Sequence, residues 1–405
     1  MTIKNNYIIL TFALAFNATA FGMDQLWFDV RRAQRRIRAH TIKSATANNN
    51  ENTLVSEQNR NGDEQRYSDK RGSFGKGLLH NDNGFISNAS FQSLITALES
   101  ENPADFNRIQ TGDSGDRNLV NPQASLAFSL SANDGWIHPI PAAPAFASAQ
   151  TAGEMVELYW TALVRDVPFN EFDTDATVGM AVADLNDVSD FRGPKEGGVV
   201  TRNSFLRGNA PDELVGPYIS QFLYQTVPFG AMNIPPDQMV PTSTTDNDFM
   251  TDYTDWFTVV NAGSTGDMTT TETFTIFIRT PRDLAEYVHV DGPGQGSFCA
   301  ALLLNSYGAD ALDRNNPYLN NTTQDGFTTF GLPDVLTLMR AAIQEGLKAA
   351  WYHKWLVHRR LRPEEFGFYV NEQVANGASL GLHDDLINLF FLERGEASDA
   401  FESLS

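Results

Sequence analysis

Apolar positions recur along this chain mostly at helical intervals. Leu26, Trp27, Val30, Ala33 and Ile37 mark one face of a helix over residues 24–43, with Arg31, Arg32, Arg35, Arg36 and Arg38 on its solvated side. Residues 44–72 lose the periodicity and read as a polar loop or extended surface arm. SFQSLITALES (90–100) predicts a short amphipathic helix. TAGEMVELYWTALVRDV (151–167) predicts a longer one, opened by the capping-box spacing of Thr151 and Glu154 and stopped by Pro168. DELVGPYISQFLY (212–224), RDLAEYVHV (282–290) and CAALLLNSY (299–307) continue the helical pattern. Only DMTTTETFTIFIR (268–280) alternates, and its Thr, Ile and Phe content predicts a small β-hairpin or lone strand.

The last strong element runs from Pro333, suited to a first helical position, to Arg362, where Pro363 ends it. That predicts one helix of about 29 residues, roughly 43 Å long at 1.5 Å per residue. One seam of it, Leu336, Met339, Ile343, Leu347 and Ala350, is apolar and predicted to face a core; Lys354 and His358 then take seam positions before Leu361 resumes it. A lysine and a histidine on a buried seam require compensation, either by carboxylates or by a bound anion. Spacing leaves both readings open. Arg359 and Arg360 are expected as surface charge near the helix C-terminus.

Charge sharpens the question. The 405 residues carry 50 Asp and Glu against 29 Lys and Arg, a net charge of −21, so a cationic knot at WYHKWLVHRRLR (351–362) stands out. The acidic balance argues against nucleic-acid binding. The single cysteine, Cys299, excludes an intramolecular disulfide and reads as a small buried hydrophobe. No apolar run is long enough for a membrane span. TDNDFMTDYTDW (245–256) lacks the Gly and Glu of an EF-hand loop and reads as a solvated acidic loop; DGPGQGS (291–297) lacks the preceding strand of a dinucleotide loop and reads as an interhelical turn. YIILTFALAF followed by NATAFG has the order of an export signal, whereas the arginines that follow suit an internal start at Met23. Residues 1–22 are therefore a signal peptide or an extension, giving an exported or a cytoplasmic protein respectively. Residues 23–72 form a basic helix and arm, and 73–405 a helical domain.

Lys354, seven residues, then Arg362-Pro363, followed by EEFG, resembles the first active-site motif of the vanadium-dependent haloperoxidases, in their bacterial and algal bromoperoxidase-like branch. NGDEQRYSDKRGSFGKGLLHN (61–81), LVNPQASLAF (119–128), DFRGPK (190–195), LVGPYISQFL (214–223) and RDLAEYVHVD (282–291) are similar to the same branch. The resemblance implies a mainly α, helical-bundle haloperoxidase-like fold, with at most a small hairpin near 268–280. It implies vanadate as cofactor, and hydrogen peroxide and halide as partners. By the same resemblance Lys354 polarises an oxygen delivered by peroxide and Arg362 clamps an equatorial oxygen of vanadate. His353 falls where the branch tunes halide access, and His358 is read as a packing or supporting histidine.

The family pattern continues with a Ser-Gly-His, a second Arg and a vanadium-bonding His. SLGLHDDL (379–386) offers Ser379, Gly381 and His383 at the wrong spacing and is not taken as a site. The expectation is a domain incomplete at its C-terminus, carrying the first vanadate motif only and inactive alone, with a complementing C-terminal chain or a homo-oligomer as its protein partner. An acid phosphatase of the same superfamily and a non-catalytic truncated remnant are the alternatives.

Overall fold

The computed structural model describes residues 23–52, 57–113, 115–129, 133–210, 213–219, 225–235, 239–240, 242, 244, 248–265, 276–289 and 292–391. These fall into two compact units, one with residues 23–57 and 128–139, the other with 58–127 and 140–391. The fold is mainly α. In the first unit, α1 (Met23–Asn52) runs past the expected end at 43 and takes up the start of the polar tract. Its arginines are solvated as the pattern required, while Ala33 and Ile37 are half-buried.

The second unit carries the site. Its order is α2 (Asp63–Arg66), α3 (Asn88–Ser100), α4 (Pro103–Phe106), α5 (Ala149–Leu163), α6 (Ala176–Asp187), α7 (Tyr253–Val260), α8 (Pro281–His289), α9 (Gln295–Ser306), α10 (Leu332–Tyr352), α11 (Pro363–Val374) and α12 (Asp384–Phe391). Short antiparallel ribbons interrupt it: β1 (Val227–Phe229) with β2 (Met232–Ile234), and β3 (Met239–Val240) with β4 (Ile276–Phe277). The expected strand survives as β4, paired with a distant segment rather than within its own hairpin; residues 268–275 lie outside the described residues.

Local chemistry moves several boundaries. Ser148, not Thr151, caps α5: its side chain accepts from Thr151 N–H, and Thr151 Oγ1 donates to Ala145 O at 2.7 Å. Glu154 is thereby released from a capping role and pairs with Arg360. The helix expected over 212–224 does not form in its described part, 213–219, which is turns and bends; residues 212 and 220–224 lie outside the described residues. Of the acidic loop, Asp248 pairs with Arg165, while Asp252 caps α7 and remains exposed; Asp246 lies outside the described residues.

Two cores pack this unit. The larger joins Val156, Val164, Val178, Leu185, Val260 and Val370, with Trp256 stacked on Phe368 at 4.3 Å. The smaller gathers Leu78, Phe91, Leu94 and Leu98 around Trp355. Cys299 is half-buried beside a third, minor cluster.

The predicted 29-residue helix is broken. α10 ends at Tyr352, His353–His358 winds one wider π-helical turn, and Arg359 takes left-handed dihedrals of φ 37° and ψ 49°. The seam is also less buried than its pattern suggested. No residue of α10 is fully buried; of the seam, Leu336, Met339 and Ile343 are half-buried and Leu347 and Ala350 exposed.

The expectation of Arg359 as surface charge is overturned. Its side chain is 5 % exposed and forks onto Glu64 at 2.6 and 2.8 Å, while Nη1 donates to Trp355 O at 2.8 Å. A left-handed residue at this point satisfies those donors by turning the guanidinium back over its own last turn. Arg360 remains at the surface, as expected. Removing one partner of a buried pair leaves the other charge uncompensated. Glu64→Ala is therefore expected to lower unfolding free energy by about 3 kcal/mol, measured by urea denaturation. Arg360→Ala, which breaks an exposed pair, should change it by less than about 1 kcal/mol.

Candidate functional site

The break at Arg359 decides where the cations point. On an uninterrupted helix Lys354 and Arg362 stand eight residues, about 12 Å, apart along the axis. Here the chain reverses at Arg359, and Arg359 O accepts from Phe74 N–H at 2.7 Å. Residues 360–362 then run extended beside Ser73 until Pro363 opens α11. Lys354 and Arg362 consequently line the same two cavities, which Trp355 also lines.

The first cavity, about 380 Å³, also presents His358, Asp63, Glu154 and Arg360. Lys354 is half-buried, and its ammonium lies 5.1 Å from the ring centres of both Trp351 and Trp355. Burial, then the charge of Arg362, push its pKa below the ordinary lysine value of 10.5; no carboxylate acts to raise it. Arg362 is half-exposed and reaches Glu364 at 3.3 Å. Of the two explanations for a lysine on this seam, pairing with a carboxylate is thus missing for Lys354 among the described residues.

His358 lines this cavity, with its pKa pushed below 6.5 first by burial and then by His353, Arg360 and Arg60, so it is neutral at pH 7. Its Nδ1 is buried with no hydrogen-bond partner among the described residues. His353 is buried, its ring 5.8 Å from that of His358, and it lines neither cavity. Ser379, Gly381 and His383 lie elsewhere; His383 Nδ1 accepts from Asp385 N–H ahead of α12.

Asp63 escaped the sequence reading. It sits at the start of α2 inside the presumed arm, 2 % exposed, and burial raises its pKa despite the Phe146 N–H that it accepts at 2.8 Å. Its Oδ1 has no partner among the described residues. Gly72 makes room for it: a Cβ there would lie 2.7 Å from Asp63 Cβ. Nothing in the periodicity marked Asp63, since a four-residue helix is too short to show one.

These residues gather the cations of the motif into a partly desolvated centre on a mainly α frame. No family model matches the chain. Three curated relatives do: vanadium-dependent bromoperoxidases of Ascophyllum nodosum (30% identical over 312 residues, 74% of this chain and 55% of the relative), Corallina pilulifera and Corallina officinalis (each 29% over 359 residues, 73% and 60%). The homohexameric vanadate-dependent bromoperoxidase AnII of Ascophyllum nodosum superposes with a TM-score of 0.83 at 26% identity, over 92% of this chain and 62% of that one. The chain is haloperoxidase-like in sequence and fold. It spans between about half and three fifths of the curated relatives it matches.

Burial and Arg362 bring the loss of the Lys354 proton below pH 10.5. The ammonium attracts an anion and the free amine does not, so affinity falls as pH rises through the lowered pKa. With sulfate, whose charge is fixed over that range, calorimetric affinity is expected to start falling below pH 10.5. In Lys354→Arg the decline should vanish, because the guanidinium stays charged.

Proposed function

We propose that the chain binds vanadate between Lys354 and Arg362 and serves peroxide-driven oxidation of halide. The observation that carries this reading is the half-buried Lys354, which lacks a carboxylate and shares its cavities with Arg362. The donor set fits a tetrahedral oxyanion: a point charge from Lys354, a planar fork from Arg362, and neutral His358 and buried Asp63 beside them. Bound vanadate supplies the Lewis-acid centre at which peroxide becomes reactive toward halide.

The chain's own residues have separable tasks. Lys354 draws negative charge from an oxygen of the bound group, and the two indoles exclude water from that ammonium. Arg362 orients the oxyanion, while Glu364, which also accepts from Lys76 at 2.5 Å, limits the guanidinium's freedom. Asp63, whose pKa is raised by burial, lines the same cavity beside the bound group. His353, behind His358, tunes the cavity's polarity toward halide.

The histidine that bonds vanadium belongs, in this reading, to a further segment of the same polypeptide or to another chain. His358 is a poor candidate because it shares an element with Lys354 and sits against His353. The exposed apolar residues of α10 support such a partner. A homo-oligomer fits as well, since the solved relative is homohexameric.

Titrating orthovanadate into the 405-residue protein by calorimetry tests the reading. Micromolar binding is expected, weakened at least tenfold in Lys354→Ala and in Arg362→Ala, the loss of one charge-assisted donor being worth about 1.5–3 kcal/mol. Undiminished binding in both variants would sink it. Bromide oxidation by the same preparation is expected to be absent, and turnover would overturn the need for a further segment.

A further inference from the structure

The second cavity differs from the first in chemistry. It measures about 440 Å³, within the roughly 300–1,000 Å³ usual for small organic ligands. Four cations line it, Lys76, Arg117, Lys354 and Arg362, and no carboxylate does. Glu364, set back from the lining, answers both Lys76 and Arg362, whereas Arg117 and Lys354 have no carboxylate partner among the described residues. Inside a protein of net charge −21 this is a local reversal of sign.

Apolar side chains make up most of the remaining walls, Phe74, Leu119, Val120, Met250, Val259 and Trp355 among them, with Asn118 and Ser264 as the neutral polar residues. Trp355 is 1 % exposed, stands edge-on to Phe74 at 5.1 Å, and its Nε1–H has no acceptor among the described residues. A buried indole donor normally finds one. Trp351, which flanks Lys354, donates instead to Val120 O at 3.2 Å and so fixes one wall.

Cations at the rim, aromatic surface within and an unanswered buried donor describe a receptor for an amphipathic anion. We infer that this cavity binds an aromatic monoanion, a carboxylate, sulfonate or phenolate. Its charged head lies toward exposed Arg117 and Lys76, and its ring lies against Phe74 and Trp355. Lys354 and Arg362 form the boundary with the first cavity, so the ligand sits next to the proposed oxyanion rather than in its place. The inference borrows those two residues from that reading but stands without vanadate.

Benzenesulfonate, whose charge does not titrate, is the probe. Calorimetry on the full chain is expected to show one site, with Arg117→Ala weakening it at least tenfold and Arg117→Lys restoring most of the affinity. Methanesulfonate, the same head without the ring, should bind at least tenfold more weakly. Orthovanadate affinity should be unchanged in Arg117→Ala. Failure of vanadate to bind, with benzenesulfonate still dependent on Arg117, removes the oxyanion reading and leaves this one. Benzenesulfonate affinity indifferent to Arg117→Ala, equal affinity for methanesulfonate, or one-for-one displacement by vanadate would each overturn it. Circular dichroism confirms that the exposed Arg117 variants remain folded.

Discussion

A guanidinium enclosed by protein sets the course of the chain at residue 359. Arg359 is nearly inaccessible to water, so each of its donors must be met inside the protein. Glu64 takes two of them and the carbonyls of Trp355 and Leu356 take another. Meeting those partners holds a non-glycine residue in the left-handed region, which ends the π turn and folds the chain back. The two cations of the motif then share a wall instead of lying two helical turns apart. The pair thus does for geometry what a buried ion pair seldom does for stability alone: it selects one path over the straighter, intrinsically easier helix.

A second enclosed pair fixes the other side of the same ground. His80 Nδ1 lies 2.9 Å from Leu78 O, an acceptor, so that nitrogen carries a hydrogen. Nε2 faces Glu365 Oε1 at 3.5 Å. Glu365 Oε2 accepts from Gly75 N–H, and a Cβ at 75 would fall 2.4 Å from Oε1. Gly75 therefore lets the segment after Phe74 press against the first turn of α11. Phe74 and Pro363 are both held by these contacts, and Arg362 lies between the two regions they stabilise.

Much of the fold was legible because period is a global signal. The amphipathic stretches at 90–100, 151–167, 282–290 and 299–307 all became helices. Where the reading failed, the deciding interaction lay far away in sequence. Ser148 outcompeted Thr151 as a cap because Ala145 O was within reach of the Thr151 hydroxyl. Residues 213–219 stayed irregular despite an apolar pattern. Lys354 and Arg362 were visible as an anomaly on a seam and as a motif. Asp63 and Arg117, drawn in from short or irregular segments, carried no periodic mark. Arg359 was misread for a related reason: from spacing alone, a charge near a helix end looks solvated, and only Glu64, almost three hundred residues away in sequence, says otherwise.

The contrast between the chain's net charge and the cations gathered at its cavities has a kinetic meaning. An anion approaching from a distance meets the field of a chain of net charge −21 before it meets the cations of the cavities. Dissolved salt screens exposed charges over about 8 Å at physiological ionic strength and about 3 Å at 1 M, but acts far less on groups inside a cavity. Raising ionic strength therefore strips away the outer repulsion sooner than the inner attraction. Most basic sites capture anions more slowly as salt rises; this architecture favours the opposite, with capture accelerated in brine.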